Sequence, residues 1–281
     1  MTRWIRSIKK MKSIIKNYKD SKKSIGFVPT MGYLHEGHIS LIRCAKKEND
    51  IVIVSVFVNP IQFGKNEDLD RYPRNIKKDI QLCEKEKVDI LFNPLYKEMY
   101  PKGFKTYIVV EDLTSTLCGR YRPNHFKGVT TVVAKLFNIV KPDRAYFGKK
   151  DYQQLVVIKQ MVQDLNMDTQ VIGCPIIREK DGVAMSSRNK YLSKEERTSA
   201  SALNKALLLA KNLFIKGQTD PQVLKKEIQS LIMRYPKIKE IQYIEIVNPK
   251  TLKPVKTVKK GDIIALAVFV GETRLIDNIE L

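Results

Sequence analysis

"IVIVSVFV", residues 51–58, contains no charge, and every residue except Ser55 and Phe57 is a β-branched aliphatic. A strand with one face in water alternates apolar and polar side chains. A run that does not alternate is covered on both faces, which is the condition of a parallel strand between two layers of helix. Eight residues fall far short of the ~20 that a helix needs to cross a bilayer. Upstream, "SIGFVPT" (24–30) reads as a second strand, ending at a Pro-Thr turn. Between the two, "EGHISLIRCAKKEN" (36–49) places Ile39, Leu41, Ile42 and Ala45 on one side of a helix, with Lys46 and Lys47 near its end. Downstream, a helix over 75–86 leads to a strand in "VDILFNP" (88–94). The alternation continues through "TYIVV" (106–110), "GVTTVVAKLFNIV" (128–140) and "RAYFG" (144–148). A helix in "YQQLVVIKQMVQDLN" (152–166) and a strand in "TQVIGCPII" (169–177) complete it. This rhythm predicts an α/β fold: a doubly wound, Rossmann-like parallel sheet rather than a barrel of eight units.

After about residue 177 the pattern changes. Ser193 with Glu196 three residues on forms a capping box that opens a long helix. Asp220-Pro221 starts another over 221–234, and "IQYIEIV" (241–247) and "DIIALAVFV" (262–270) read as strands. The expectation is a Rossmann-like domain over 1–176 and a smaller α+β domain over 177–281. At the N-terminus Ile5, Ile8, Met11, Ile15 and Tyr18 recur at helical spacing, predicting a basic amphipathic helix packed on the domain, with a membrane-surface role as the alternative. This terminus has no apolar core or cleavage site of a secretion signal. Cys44, Cys83, Cys118 and Cys174 show no CxxC spacing, which argues against a zinc ribbon and gives no disulfide framework, so a reducing cytoplasm is expected.

The formal charge is +21, which raises nucleic acid as a partner. Lysine outnumbers arginine about threefold, however, and the excess is spread along the chain without a basic stripe interleaved with aromatics. Phosphate readers favour arginine, whose planar fork matches phosphate. The charge is therefore read as compositional, with neither nucleic acid nor membrane as a partner.

In an open α/β sheet ligands bind beyond the carboxyl ends of the strands. "VPTMGYLHEGH" (28–38) is such a strand-to-helix turn, with Gly32 allowing close backbone approach and a helix starting near Glu36. Helix N-termini attract anions, and His35 and His38 would turn two imidazoles toward one. By itself the pair is equally compatible with one surface and one core histidine. Zinc is disfavoured because HExxH spacing and a third ligand cluster are missing.

"PTMGYLHEGH" resembles the HxGH signature of the nucleotidyltransferase superfamily. Together with "VSVFVNPIQFGKNEDLDRYPR", "LCGRYRPNHFKGVTTVVAKLFNIVKPDRAYFGKKDYQQL" and "REKDGVAMSSRNKYLS", it makes the chain similar to the pantothenate synthetase (pantoate–β-alanine ligase) family, densely over 24–195 and more loosely beyond. The resemblance implies two-step chemistry: pantoate and ATP give pantoyl adenylate and pyrophosphate, then β-alanine displaces AMP. It implies that His35 and His38 stabilise charge at the α-phosphate, with His38 as proton donor, and that Met31, Gly32, Tyr33, Leu34, Glu36 and Gly37 complete the first wall of the ATP site. Gly148, Lys149, Lys150 and Asp151 match the second ATP segment, with Lys150 directed at phosphate. Met185, Ser186, Ser187 and Arg188 resemble the loop that holds the leaving pyrophosphate, and Ile177 a backbone contact to adenine. Taken alone, the lysine pair reads as a solvated turn and Ser-Ser-Arg as ordinary turn chemistry. Gln62 and Gln154 match the pantoate-holding glutamines, with Asn59 as helper and Gln153 as a structural control.

The family further implies a mobile flap over 63–74, Mg²⁺ carried mainly by the ATP phosphates with no protein ligand assigned (Glu67, Asp68 and Asp70 lie in the flap), and a homodimer. The residues leave open whether Arg120 and Arg122 guard the anion site or pair with Glu111 and Asp112; His125 is equally open, with structure the favoured role. Two other classes, a nucleic-acid-binding relative of the synthetases and a dinucleotide-forming adenylyltransferase, leave "NPIQF" and "DYQQL" without a purpose.

Overall fold

The computed structural model describes residues 1–64 and 67–281; Lys65 and Asn66, within the stretch compared to a flap, lie outside the described residues. The chain divides into two compact units. The first comprises Met1–Glu111, Arg122–Lys149 and Gln154–Pro175; the second comprises Asp112–Tyr121, Lys150–Gln153 and Ile176–Leu281.

The first unit is built on six parallel strands, β1 (Arg3–Ile5), β2 (Ile25–Thr30), β3 (Ile51–Val56), β4 (Ile90–Phe92), β5 (Arg144–Gly148) and β6 (Gln170–Cys174), in the order β1-β4-β3-β2-β5-β6. The non-alternating run becomes β3, which pairs with β2 from Ile25↔Ile51 to Thr30↔Val56. Val28, Val52 and Val54 pack under Ile39, Ile42 and Ala45 of α2 (Glu36–Glu48). From the opposite side α6 (His125–Val140) meets β2, where Phe27 and Phe137 make an edge contact with ring centroids 6.3 Å apart. A helix on each face explains why no residue of β3 needs to be charged. The N-terminal helix α1 (Ile8–Asp20) buries Met11, Ile14 and Ile15 and packs on α6, so its apolar stripe is spent on the unit itself.

Two segments differ from the sequence reading. Ile5 belongs to the edge strand β1, paired with Phe92 of β4, rather than to the helix; three residues are too few to display a period. "TYIVV" (106–110) forms no strand. The Ile108 N–H donates to the Thr131 hydroxyl (3.0 Å) and its carbonyl accepts from the Thr130 hydroxyl (2.6 Å), so side chains of α6 replace a ladder partner.

In the second unit an antiparallel sheet of β7 (Ile238–Val247), β8 (Ile263–Val270) and β9 (Thr273–Glu280) packs against α8 (Lys194–Ile215) and α9 (Pro221–Ile232). The core includes Leu203, Leu207, Leu224, Ile228, Ile264 and Leu266. The Ser193 capping box forms, with the Glu196 N–H donating to the Ser193 hydroxyl and the Ser193 N–H to the Glu196 carboxylate. Pro221 follows the N-cap Asp220 as expected. The sequence reading did not find β9, because buried Asp277 and Asn278 interrupt its apolar alternation.

Candidate active site

The strand order reverses between β2 and β5, and such switch points open a crevice at the carboxyl ends of the strands. The His35/His38 turn follows β2 and the Gly148–Lys149 turn follows β5, so both motifs leave the sheet at this point.

The turn after β2 is held from three sides. The Thr30 hydroxyl donates to the Ser55 carbonyl (2.8 Å) and accepts from the Gly32 N–H (3.0 Å). Gly32 has φ +84°, and a Cβ there would lie 2.7 Å from the Val56 side chain and 3.0 Å from the Asp79 carboxylate, so only glycine fits. Asp79, in the first turn of α3 (Ile76–Lys85) and only 1% exposed, accepts from the backbone N–H groups of Tyr33 (2.9 Å) and Leu34 (2.8 Å). Burial pushes its carboxyl above the ordinary range, against the pull of those two donors. Asp79 escaped the sequence reading because it looks like any acid placed at a helix start.

His35 is the N-cap of α2. Its Nδ1 accepts from the Gly37 N–H (3.2 Å), while His38 Nδ1 accepts from the His35 N–H (3.4 Å), a reciprocal capping box built from two imidazoles. With Nδ1 occupied as acceptor, each neutral ring carries its proton on Nε2, so both are donors at that atom. The ring centroids are 4.1 Å apart. The Glu36 carboxylate between them is paired with Arg43 (2.5 Å).

Gln62 and Asn59 follow β3. Asn59 is buried: it accepts from the Tyr100 hydroxyl (2.8 Å) and donates to the Gly128 carbonyl (3.0 Å) and to Gln62 Oε1 (3.3 Å). Gln62 Nε2 is directed at the Met31 sulfur (2.8 Å), a weak acceptor that a better one can displace. A Cβ on Gly128 would lie 2.6 Å from the Gln62 backbone, so α6 approaches this turn as closely as glycine allows. His125 Nδ1 lies 2.8 Å from the Gln62 carbonyl and its Nε2 lies 3.1 Å from Arg122. Arg122 clasps Glu67 through both carboxylate oxygens. Arg122 thus pairs with Glu67, and Arg120 is exposed. Gln154, on α7 (Tyr152–Asp164), is half-buried, and its side-chain amide has no hydrogen-bond partner among the described residues. Its neighbour Gln153 is fully used, accepting from the Cys118 N–H (2.9 Å) and donating to the carbonyls of Leu113 (2.9 Å) and Thr116 (2.8 Å).

In the second unit, Lys150 lies 3.8 Å from Asp151, and its carbonyl accepts from the Asn278 amide (2.9 Å). Ile177 and Met185 close a hairpin through the Met185 N–H and the Ile177 carbonyl (2.9 Å). Arg197 braces that hairpin by pairing with Glu179 (2.6 Å) and Asp181 (2.5 Å), and Asn189 joins Glu179 to the Ala184 carbonyl. Ser186 caps the turn that follows, its hydroxyl accepting from the Arg188 N–H (3.3 Å), and Ser187 is buried. Among the described residues no group of three His, Cys, Asp or Glu is placed to hold a metal ion, and no helix is long and apolar enough to cross a membrane.

A family model described as pantoate-beta-alanine ligase matches residues 3–280. The chain belongs to the pantoate–β-alanine ligase family. A pantothenate synthetase of Sulfurihydrogenibium sp. (strain YO3AOP1) is 62% identical over 270 residues, covering 96% of each chain. One from Caldicellulosiruptor saccharolyticus is 60% identical, covering 97% of this chain and 96% of its own. The crystal structure of the Thermus thermophilus enzyme superimposes with a TM-score of 0.94 at 44% identity, with 99% of each chain covered. A Francisella tularensis ligase solved with β-γ ATP and β-alanine gives 0.82 at 39% identity, covering 100% of this chain and 98% of its own. The activity of the chain is the joining of pantoate to β-alanine, rather than the formation of a dinucleotide.

Proposed function

We propose that the chain makes pantothenate through a pantoyl adenylate formed from ATP. A pantoate carboxylate oxygen attacks the α-phosphorus of ATP as the bond to pyrophosphate breaks. The β-alanine amine then attacks the activated carbonyl, AMP leaves with the electron pair of the broken acyl–phosphate bond, and the proton lost by nitrogen passes to the departing phosphate or to water. Neither step needs a protein nucleophile; both need alignment and donors where negative charge grows.

The observation that carries this reading is the double imidazole cap. With Nδ1 of each ring taken by a backbone N–H, His35 and His38 act through Nε2 at the positive end of α2, where an α-phosphate gains charge. His38 serves as proton donor. Lys150 directs the phosphates, and Met185, Ser186, Ser187 and Arg188 neutralise the departing pyrophosphate. Gly148, Lys149, Asp151 and the Ile177 backbone line the nucleotide. The Gln62 amide, set against a thioether, and the Gln154 amide receive pantoate, and Asn59 fixes Gln62. The fully engaged Gln153 acts only as structure. Mg²⁺, when bound, would be held by the ATP phosphates and would screen the charge that the attacking carboxylate approaches. Glu67, already clasped by Arg122, is not offered to it. The same reading takes 176/177 as the domain boundary, a homodimer as the assembly and the cytoplasm as the location.

Labelled pyrophosphate should exchange into ATP with pantoate and Mg²⁺ present and β-alanine absent. A strict requirement for β-alanine in that exchange overturns the adenylate.

A further inference from the structure

The last strand of the chain reaches both phosphate-directed segments of the second unit, through two consecutive buried side chains. Asp277 and Asn278 are 3% and 6% exposed. Asp277 receives the Arg178 fork at 2.6 and 3.0 Å, and the same guanidinium donates to the Gly182 carbonyl (3.1 Å) at the tip of the hairpin that leads into Met185. Arg178 also bridges Ala184 across that hairpin. The Asn278 amide donates to the Lys150 carbonyl (2.9 Å), in the turn that carries Lys150. The Asn278 backbone N–H donates to the Asp277 carboxylate (2.8 Å), which fixes that side chain against its own strand.

A strand needs none of this. A sheet residue whose side chain faces a core is ordinarily apolar, and burying a carboxylate and an amide here costs free energy unless both are satisfied. Satisfying them takes one backbone carbonyl of the Lys150 turn and Arg178 at the base of the hairpin that leads into the Ser186–Ser187 turn. Two segments separated in the chain are thereby fixed to adjacent residues of one rigid element. Burial raises the Asp277 carboxyl above its ordinary value, with the Arg178 pair pulling against it.

We propose that Asp277 and Asn278 are positioning residues for ATP: β9 sets the spacing between the Lys150 turn and the Ser186–Ser187–Arg188 loop, and so governs nucleotide binding without touching the nucleotide. This rests on the reading of those two segments as the phosphate-holding ones.

The test uses pantoate-dependent ATP–pyrophosphate exchange with the full-length enzyme. Asn278→Leu keeps the volume and removes the donor, and Arg178→Lys keeps the charge and removes the fork. Each should raise the KM for ATP about tenfold, the scale of one lost hydrogen bond, leave the KM for pantoate within about twofold and lower kcat less than it raises the ATP KM. The melting-temperature rise given by ATP should shrink in the same variants, which reads the effect even in one with lowered stability. An unchanged ATP KM, or ATP and pantoate values rising together, overturns the proposal. Lys150→Ala separates the two layers. Wild-type exchange in that variant overturns the reading of the turn, and the proposal with it. Lost exchange there with an unaltered ATP KM in Asn278→Leu overturns the positioning role alone.

Discussion

The two histidines at the head of α2 act as each other's scaffold. Each imidazole accepts a backbone N–H at Nδ1, so the ring tautomer is chosen by the fold rather than by the solvent. Removing one donor aimed at developing charge typically costs on the order of 3 kcal/mol in a transition state, about a hundredfold in rate. His38→Ala should slow single-turnover formation of pantoyl adenylate by at least that factor with both substrates saturating; a rate near wild type would make the pair purely structural. Asp79 should matter nearly as much from one layer behind. Asp79→Asn turns an amide NH₂ toward one of two buried N–H donors, and a buried donor left unsatisfied costs about 1–3 kcal/mol. The loss of a buried charge partly offsets that in stability, because burial already disfavours the carboxylate. Adenylate formation should therefore fall at least about tenfold while the melting temperature moves by only a few degrees. Parallel losses in both readouts would make Asp79 a fold residue only. The histidine pair was visible in the sequence by its spacing, whereas Asp79 was not, since its importance lies in a contact with residues 45 and 46 positions away.

At the scale of elements, periodicity worked where a helix or strand buries a regular face. Ile39, Leu41, Ile42 and Ala45 are the buried residues of α2, and β3 is buried along nearly its whole length. It failed where polar side chains replace a ladder or interrupt a face. The threonines of α6 capture "TYIVV", and Asp277 and Asn278 disguise β9. The hairpin over 177–185 shows what such polar anchoring does with pH. Hydrogen bonds from Arg197 hold the Asp181 carboxyl below its ordinary 3.8. Burial pushes Glu179 up, but its bonds to Arg197 and Asn189 win and leave it below 4.5. Groups with lowered folded values stabilise the fold above their unfolded values, and that stabilisation is lost as the pH falls through the folded ones. The melting temperature should hold from neutrality to about pH 5 and drop below about pH 4. Arg197→Met should melt lower at neutral pH and show a shallower acid drop, as followed by calorimetry across that range. An acid limb of undiminished slope would place the responsible carboxylates elsewhere.

For the whole molecule the charge of +21 is read as compositional. A surface that is positive through scattered lysine attracts any polyanion by counterion release, without selecting one. Binding to duplex DNA or tRNA, followed by fluorescence anisotropy from about 50 to 200 mM salt, should be weak and fall by orders of magnitude across that interval. Submicromolar binding to tRNA that resists salt would instead mark a built interface.

The ribosome delivers Lys150 long before Asn278: 128 positions separate the two partners of one hydrogen bond. At ~5–20 residues per second the turn waits on the order of ten seconds for its anchor. The second unit also draws Asp112–Tyr121 and Lys150–Gln153 from within the span of the first, so those pieces are translated early and seated late. Every truncated product that stops short of the final strand lacks both ties at once, whatever else it has folded. A chain interrupted before β9 lacks the partners of both Arg178 and the Lys150 carbonyl, so it is expected to retain the parallel sheet and lose the ATP affinity proposed to depend on those ties.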